Sequence, residues 1–197
     1  MRKLLILLAV TLMASPAFAI SGLSIGVRGG WVNNYEQAGL SLGDYKADQM
    51  NLFGAQVRFA SLPMVNLIVF GDYAWKNKDY DFAGQNFQLK MHDLSFGASL
   101  VYPLKLKVVS PFVGGGVSSH NLSFDYVKPL ALSLDDEGIS VPESMTRLGY
   151  HLVGGVNINL PAFPIGFSAE YRWNWIDTPG EVTDFTSLVL GLNYNLP

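Results

Sequence analysis

The stretch Ile165–Trp175 reads IGFSAEYRWNW. Every second residue gives Ile165, Phe167, Ala169, Tyr171, Trp173 and Trp175 on one side. The other side holds Gly166, Ser168, Glu170, Arg172 and Asn174. Alternation this strict marks a β-strand with two unlike faces. A water-soluble protein turns the Trp-rich face inward and the charges outward, whereas a membrane-spanning barrel does the reverse. The alternation serves both arrangements, so the rest of the chain has to decide.

The N-terminus, MRKLLILLAVTLMASPAFA, has a basic start at Arg2 and Lys3, an apolar run from Leu4 to Met13 and an Ala17-Phe18-Ala19 cleavage pattern. It reads as a secretory signal peptide over residues 1–19. About ten apolar residues are too few for a membrane-spanning helix, which needs roughly 20. The 197 residues less these 19 leave 178, one domain's worth, over 20–197. Without Arg2 and Lys3, 11 basic residues face 16 acidic ones, a net charge of −5 that excludes a nucleic-acid role. Cysteine is absent, so a disulfide framework and thiolate chemistry are excluded too. Charged residues make up only 15% of the chain, fewer than a water-facing surface carries. No later stretch is apolar enough for a membrane helix, so any crossing is made by strands.

Eight segments alternate: Leu23–Asn33, Gln49–Ala60, Val65–Lys76, Phe87–Tyr102, Pro111–Tyr126, Arg147–Leu160, Ile165–Trp175 and Phe185–Leu196. In the fourth, Phe87, Leu89 and Met91 are out of phase with Leu94, Phe96, Ala98, Leu100 and Tyr102, which predicts a β-bulge near His92-Asp93. The fifth is Gly-rich and its phase is ambiguous. Connections near residues 60–64, 103–109 and 161–164 are short and carry Pro. Those over 34–48, 77–86 and 127–146 are long and polar, and 176–184 holds the turn pair Pro179-Gly180. Alternating long and short connections describe an up-and-down meander whose two ends meet different surroundings.

Size then orients the faces. One face carries Leu, Ile, Phe, Tyr and Trp, and the other mostly Gly, Ser, Asn and Ala. The inside of an eight-stranded barrel is just filled by side chains, so the small residues belong inside. The expected fold is all-β: an eight-stranded antiparallel up-and-down transmembrane β-barrel. Trp31, Trp75, Tyr150, Trp173 and Trp175 fall at one rim, and Phe59, Tyr102, Phe167 and Tyr194 towards the other, as lipid-interface aromatics do. The inward ions are Arg28, Arg58, Asp72, Lys76, Lys90, Glu170 and Arg172, with His92 and His151 beside them. Buried charges need partners, so Arg28, Arg58, Asp72, Glu170 and Arg172 are expected to form an ionic network in the lumen, with Arg28, Asp72, Glu170 and Arg172 paired at mid-height.

SPFVGGGVSS (Ser110 to Ser119) and the C-terminal GLNYNL (Gly191 to Leu196) make the chain resemble the small bacterial outer-membrane β-barrels of the OmpA transmembrane domain and OmpX type. The resemblance implies residence in the outer membrane of a Gram-negative cell, among lipid and lipopolysaccharide, as a monomer. It also implies that Gly191, Tyr194 and Leu196 form the signal read by the barrel-assembly machinery. Val189 and the terminal Pro197 depart from that signal's usual pattern. A structural or porin-like role is expected, with no cofactor and no enzymatic activity.

Two alternatives stay open. Loops bearing Tyr35, Tyr45, Tyr80, Phe82, Phe124 and Tyr126 suit an adhesion or ligand-binding module. Some barrels of this size modify lipid A with Ser, His and an acid, and Ser118-Ser119-His120, Ser123 and Asp125 are the local candidates. Only Ser118 and His120 share a face, and the His-x-Ser spacing of the deacylases is absent. His92, His120 and His151 lie on separate strands without metal-ligand spacing, and Asp135, Asp136 and Glu137 lack the alternation of a calcium loop.

Overall fold

The computed structural model describes residues 22–37, 45–60, 62, 64–82, 85–104, 106, 108–127, 144–160, 163–178 and 182–196. The expected signal peptide and the acids at 135–137 lie outside them. Eight strands follow in chain order: β1 (Leu23–Gln37), β2 (Tyr45–Phe59), β3 (Asn66–Phe82), β4 (Gln85–Pro103), β5 (Val109–Val127), β6 (Met145–Asn159), β7 (Ile165–Asp177) and β8 (Val182–Asn195). Each pairs antiparallel with its sequence neighbours, and β1 pairs with β8 to close the barrel. Closure leaves no sheet edge, which lets a sheet cross hydrocarbon without stranded backbone polar groups.

The strands sort their side chains by phase. Along β7, Ser168, Glu170, Arg172, Asn174 and Ile176 are buried while Phe167, Tyr171 and Trp173 are exposed. On β5 the ambiguous phase resolves with Phe112, Ser118, His120, Leu122 and Phe124 inside and Val113 and Val117 outside. The same pattern turns Leu148, Tyr150, Leu152, Leu190 and Leu192 outward.

Three expectations fail. There is no bulge at His92-Asp93: β4 pairs with β3 in unbroken register from Phe82↔Gln85 to Asn66↔Val101. Leu89 and Met91 instead keep the lumen phase of Asp93, Ser95 and Ser99, and Lys90 and His92 point outward. The register shift falls on β1, between Asn33 and Glu36 against β8. Asn34 takes a left-handed backbone there (φ 56°), which Asn tolerates better than most residues, and Tyr35 is thereby turned into the lumen. Finally, the segment 77–86 is mostly ladder: β3 and β4 stay paired up to Phe82↔Gln85.

Apolar residues inside the lumen account for the phase of β4. Val32, Tyr35, Met50, Leu52, Leu89, Met91, Leu122, Phe124, Ile176 and Phe185 form one buried cluster in the half of the lumen nearer the long connections. A smaller group, Ile68, Val101, Phe112 and Val153, lies nearer the short turns. Close packing of strands depends on glycine at Gly30, where a Cβ would collide with the Leu188 carbonyl of β8 and sit 2.9 Å from Val189 Cα.

Candidate functional site

Between the two apolar groups, the lumen carries charges from four strands. Arg28 (β1) reaches Asp72 (β3) at 3.1 Å through Nε, and Glu170 (β7) at 3.6 Å through Nη2. Arg172, two residues beyond Glu170 on the same face of β7, donates to Glu170 Oε2 at 2.8 Å and lies 3.9 Å from Asp72. Arg58 (β2) donates from Nη2 to Glu170 Oε1 at 2.5 Å and from Nη1 to Asn157. Glu170 is thus shared by three arginines and Asp72 by two. The Phe70 ring supports the cluster: the guanidinium carbons of Arg172 and Arg28 stand 4.0 and 4.9 Å from its centroid. Arg28, Glu170 and Arg172 are at most 2% exposed. Charges so deep are tolerable only with partners, and here every ion has at least one.

A second polar cluster was half visible in the sequence. Ser118 Oγ and His120 Nε2 are 2.8 Å apart, and His120 Nδ1 is 2.8 Å from Asp93 Oδ2. A carboxylate only accepts, so Nδ1–H of His120 donates to Asp93, and Nε2 is the ring atom that meets the Ser118 hydroxyl. The linkage has the order of a hydrolase relay. Its acid is Asp93, from the neighbouring strand, and not Asp125, which lies outside and 3.7 Å from His92. The relay faces the lumen, with the Phe185 ring edge-on to His120. The cavity beside it measures about 20 Å³, room for roughly one water. Further along the same wall, Ser99 Oγ of β4 and His151 Nε2 of β6 pair at 2.8 Å across β5.

The remaining singled-out residues are on the barrel wall. Lys76 lies in the lumen phase of β3 above Ala74. Trp31, Tyr102, Tyr150, Trp173 and Tyr194 are exposed on the outer face, and Trp75 and Trp175 are half-buried there by stacking on Tyr73 and Tyr150 at 5.5 and 5.4 Å. On β8, Tyr194 points outward, and the Leu196 N–H donates to the Leu23 carbonyl at 2.9 Å across the closing pair. Among the described residues no group of three or more His, Asp or Glu is arranged to hold a metal ion.

A closed antiparallel barrel with an apolar exterior, an ionic interior and one end built of short turns is an outer-membrane barrel. The outer membrane protein beta-barrel domain family matches residues 5–195, and the chain belongs to that family. The crystal structure of Neisserial surface protein A is similar at a TM-score of 0.55 with 21% identity, covering 89% of this chain and 97% of that one. Ail, the attachment invasion locus protein of Yersinia pestis, solved in complex with the heparin analogue sucrose octasulfate, gives 0.51 and 15%, with 87% and 99% covered. A major outer membrane protein of Thermus thermophilus gives 0.51 and 12%, with 87% and 98% covered. No curated protein matches the chain. The protein is therefore placed in the bacterial outer membrane.

Proposed function

We propose that the protein is a structural barrel of the outer membrane whose lumen does not pass solutes. The observation that carries this reading is the stacking of an apolar plug on a five-ion cluster across the whole lumen. A diffusing solute would have to displace both layers. Reconstituted into vesicles, the protein is expected to leave the swelling rate in a small sugar such as arabinose at the protein-free level. Swelling that rises with protein content would replace this reading with a porin.

The outward aromatics fit this role as two belts in the headgroup regions, with the barrel inserted as a monomer by the assembly machinery through Gly191, Tyr194 and Leu196. Leu190 is midway between the belts on β8, opposite Ala169 and Gly29. An arginine there faces hydrocarbon and is expected to cost about 2–4 kcal/mol, whereas one near the rims costs about 0–1. Urea unfolding of Leu190→Arg against Thr186→Arg in lipid vesicles measures the difference.

Recognition through the long connections is a second reading, favoured by the ladder of β3 and β4 that continues seven residues beyond Trp75 to Phe82. The connections over 34–48, 77–86, 127–146 and 176–184 carry twelve acidic residues and three basic ones. That sign suits a basic partner and is opposite to what the heparin analogue on the Yersinia pestis relative requires. Retention on a polylysine surface and none on heparin is the outcome that supports it; the reverse removes it. A lipid-modifying enzyme is disfavoured, because acyl chains run along the outer wall while Ser118 and His120 face the lumen. The small cavity at the relay points the same way.

A further inference from the structure

The end of the lumen nearest the short turns is not filled. A cup of about 350 Å³ opens there, within the size range of small-molecule sites. Its wall includes Ser24, Arg58, Asn66, Asn157, Asn159 and Asn195, and no acidic side chain lines it among the described residues. Arg58 forms the floor. It is 8% exposed, and its Nε is buried without an acceptor among the described residues. The Asn66 Oδ1, on the neighbouring strand, is likewise buried and unpaired. Register places Arg58 opposite Ile68, so Asn66 is one lumen-facing position nearer the mouth.

The charge of the ionic cluster is not balanced at this end. Three arginines share two carboxylates. Arg28 and Arg172 each touch both Asp72 and Glu170, whereas Arg58 touches Glu170 alone. The surplus positive charge therefore falls at Arg58, the one arginine of the cluster that lines the cup. An anion at the floor answers the surplus and the free Nε–H together. A donor beside that anion answers the Asn66 oxygen. The amides of Asn157, Asn159 and Asn195 bind polar groups without adding charge.

We propose that this cup binds one small hydroxycarboxylate, with its carboxylate at Arg58 and its hydroxyl donating to Asn66. The site faces the periplasm, because the short turns of outer-membrane barrels do. It requires neither solute passage nor recognition by the long connections, so it stands apart from the functional reading above.

The test is a titration of L-lactate into the folded, ¹⁵N-labelled barrel in detergent micelles, with ionic strength held constant by a bulky sulfonate buffer. The expected result is a saturable shift of the Arg58 Nε–H resonance, with those of Arg28 and Arg172 unmoved. The side-chain amides of Asn157 and Asn159, which line the cup, shift with it in the parent, and Arg58→Gln abolishes their shift. Asn66→Ala weakens lactate about 3- to 10-fold, the worth of one neutral hydrogen bond, and leaves acetate unchanged. That second variant also carries the test if Arg58→Gln fails to fold. A shift that grows linearly without saturating overturns the proposal. So does an equal response to chloride, an Arg58→Gln barrel that responds like the parent, or an Asn66→Ala barrel that binds lactate as tightly as the parent.

Discussion

Glu170→Ala is expected to lower the unfolding free energy of the barrel by about 3–5 kcal/mol, the cost of stripping a buried ion of its partner. Here the loss strands more than one group. Arg58 keeps no carboxylate, and Arg28 and Arg172 are left to share Asp72. Arg28 and Arg172 stay in the interior, where water cannot replace the missing charge, and Arg58 is left with only the polar cup beside it. Glu170→Gln keeps a hydrogen-bond acceptor and is expected to lose less, placing the variants in the order parent, Gln, Ala. The urea midpoint in lipid vesicles reads this directly, provided the slope of the transition is unchanged. An alanine variant within about 1 kcal/mol of the parent would mean the arginines find other partners, since exposed ion pairs are worth that little. The same variant bears on the lumen: if bilayer conductance stays silent when Glu170 is removed, the ions are a plug and not a gate.

Gly30→Val is expected to reduce the heat-modifiable folded band at least tenfold, equivalent to about 1.4 kcal/mol or more. A side chain at Gly30 meets the backbone of β8 at Leu188 and Val189, not the tip of a flexible residue. Overpacking that a rotamer can relieve costs about 1–3 kcal/mol. Backbone cannot turn aside, so β1 and β8 have to separate where the barrel closes. Gly154→Val is the control: nothing lies within 4 Å of its Cβ position, and the barrel should accept it. Electrophoresis with and without boiling compares the two. Equal folded yields would show that the β1–β8 pair has slack.

Most of the barrel was legible because hydrocarbon outside and a narrow lumen inside leave each strand one workable phase. Residues 165–175 and 188–196 alternate so strictly that strand, face and pairing direction follow. The reading failed where the lumen departs from the rule of small and polar residues. Leu89 and Met91 have the character of lipid-facing residues but belong to the apolar plug, so their phase imitates a bulge on β4, whereas the irregularity lies at Asn34. Strand ends were missed for another reason. Beyond Trp75 both phases of β3 carry polar residues, Lys76, Asn77, Lys78 and Asp79, so the alternation that announces a strand fades while the ladder continues. At the site, residue types identified the ions, but their partners depend on register: Arg58 and Glu170 are 112 residues apart. The acid nearest His120 in sequence is Asp125, whereas the pairing of β4 with β5 brings Asp93 to it.

That the first and last strands are each other's neighbours has a consequence for biogenesis. Until the last strand is made, one edge of the leading strand has no mate, and deleting either terminal strand exposes two rows of bare peptide groups to oil. The polypeptide must therefore be carried, whole and unfolded, to its destination before it gains any of its stability. Quality control can ask one question of it: whether the circle has been completed.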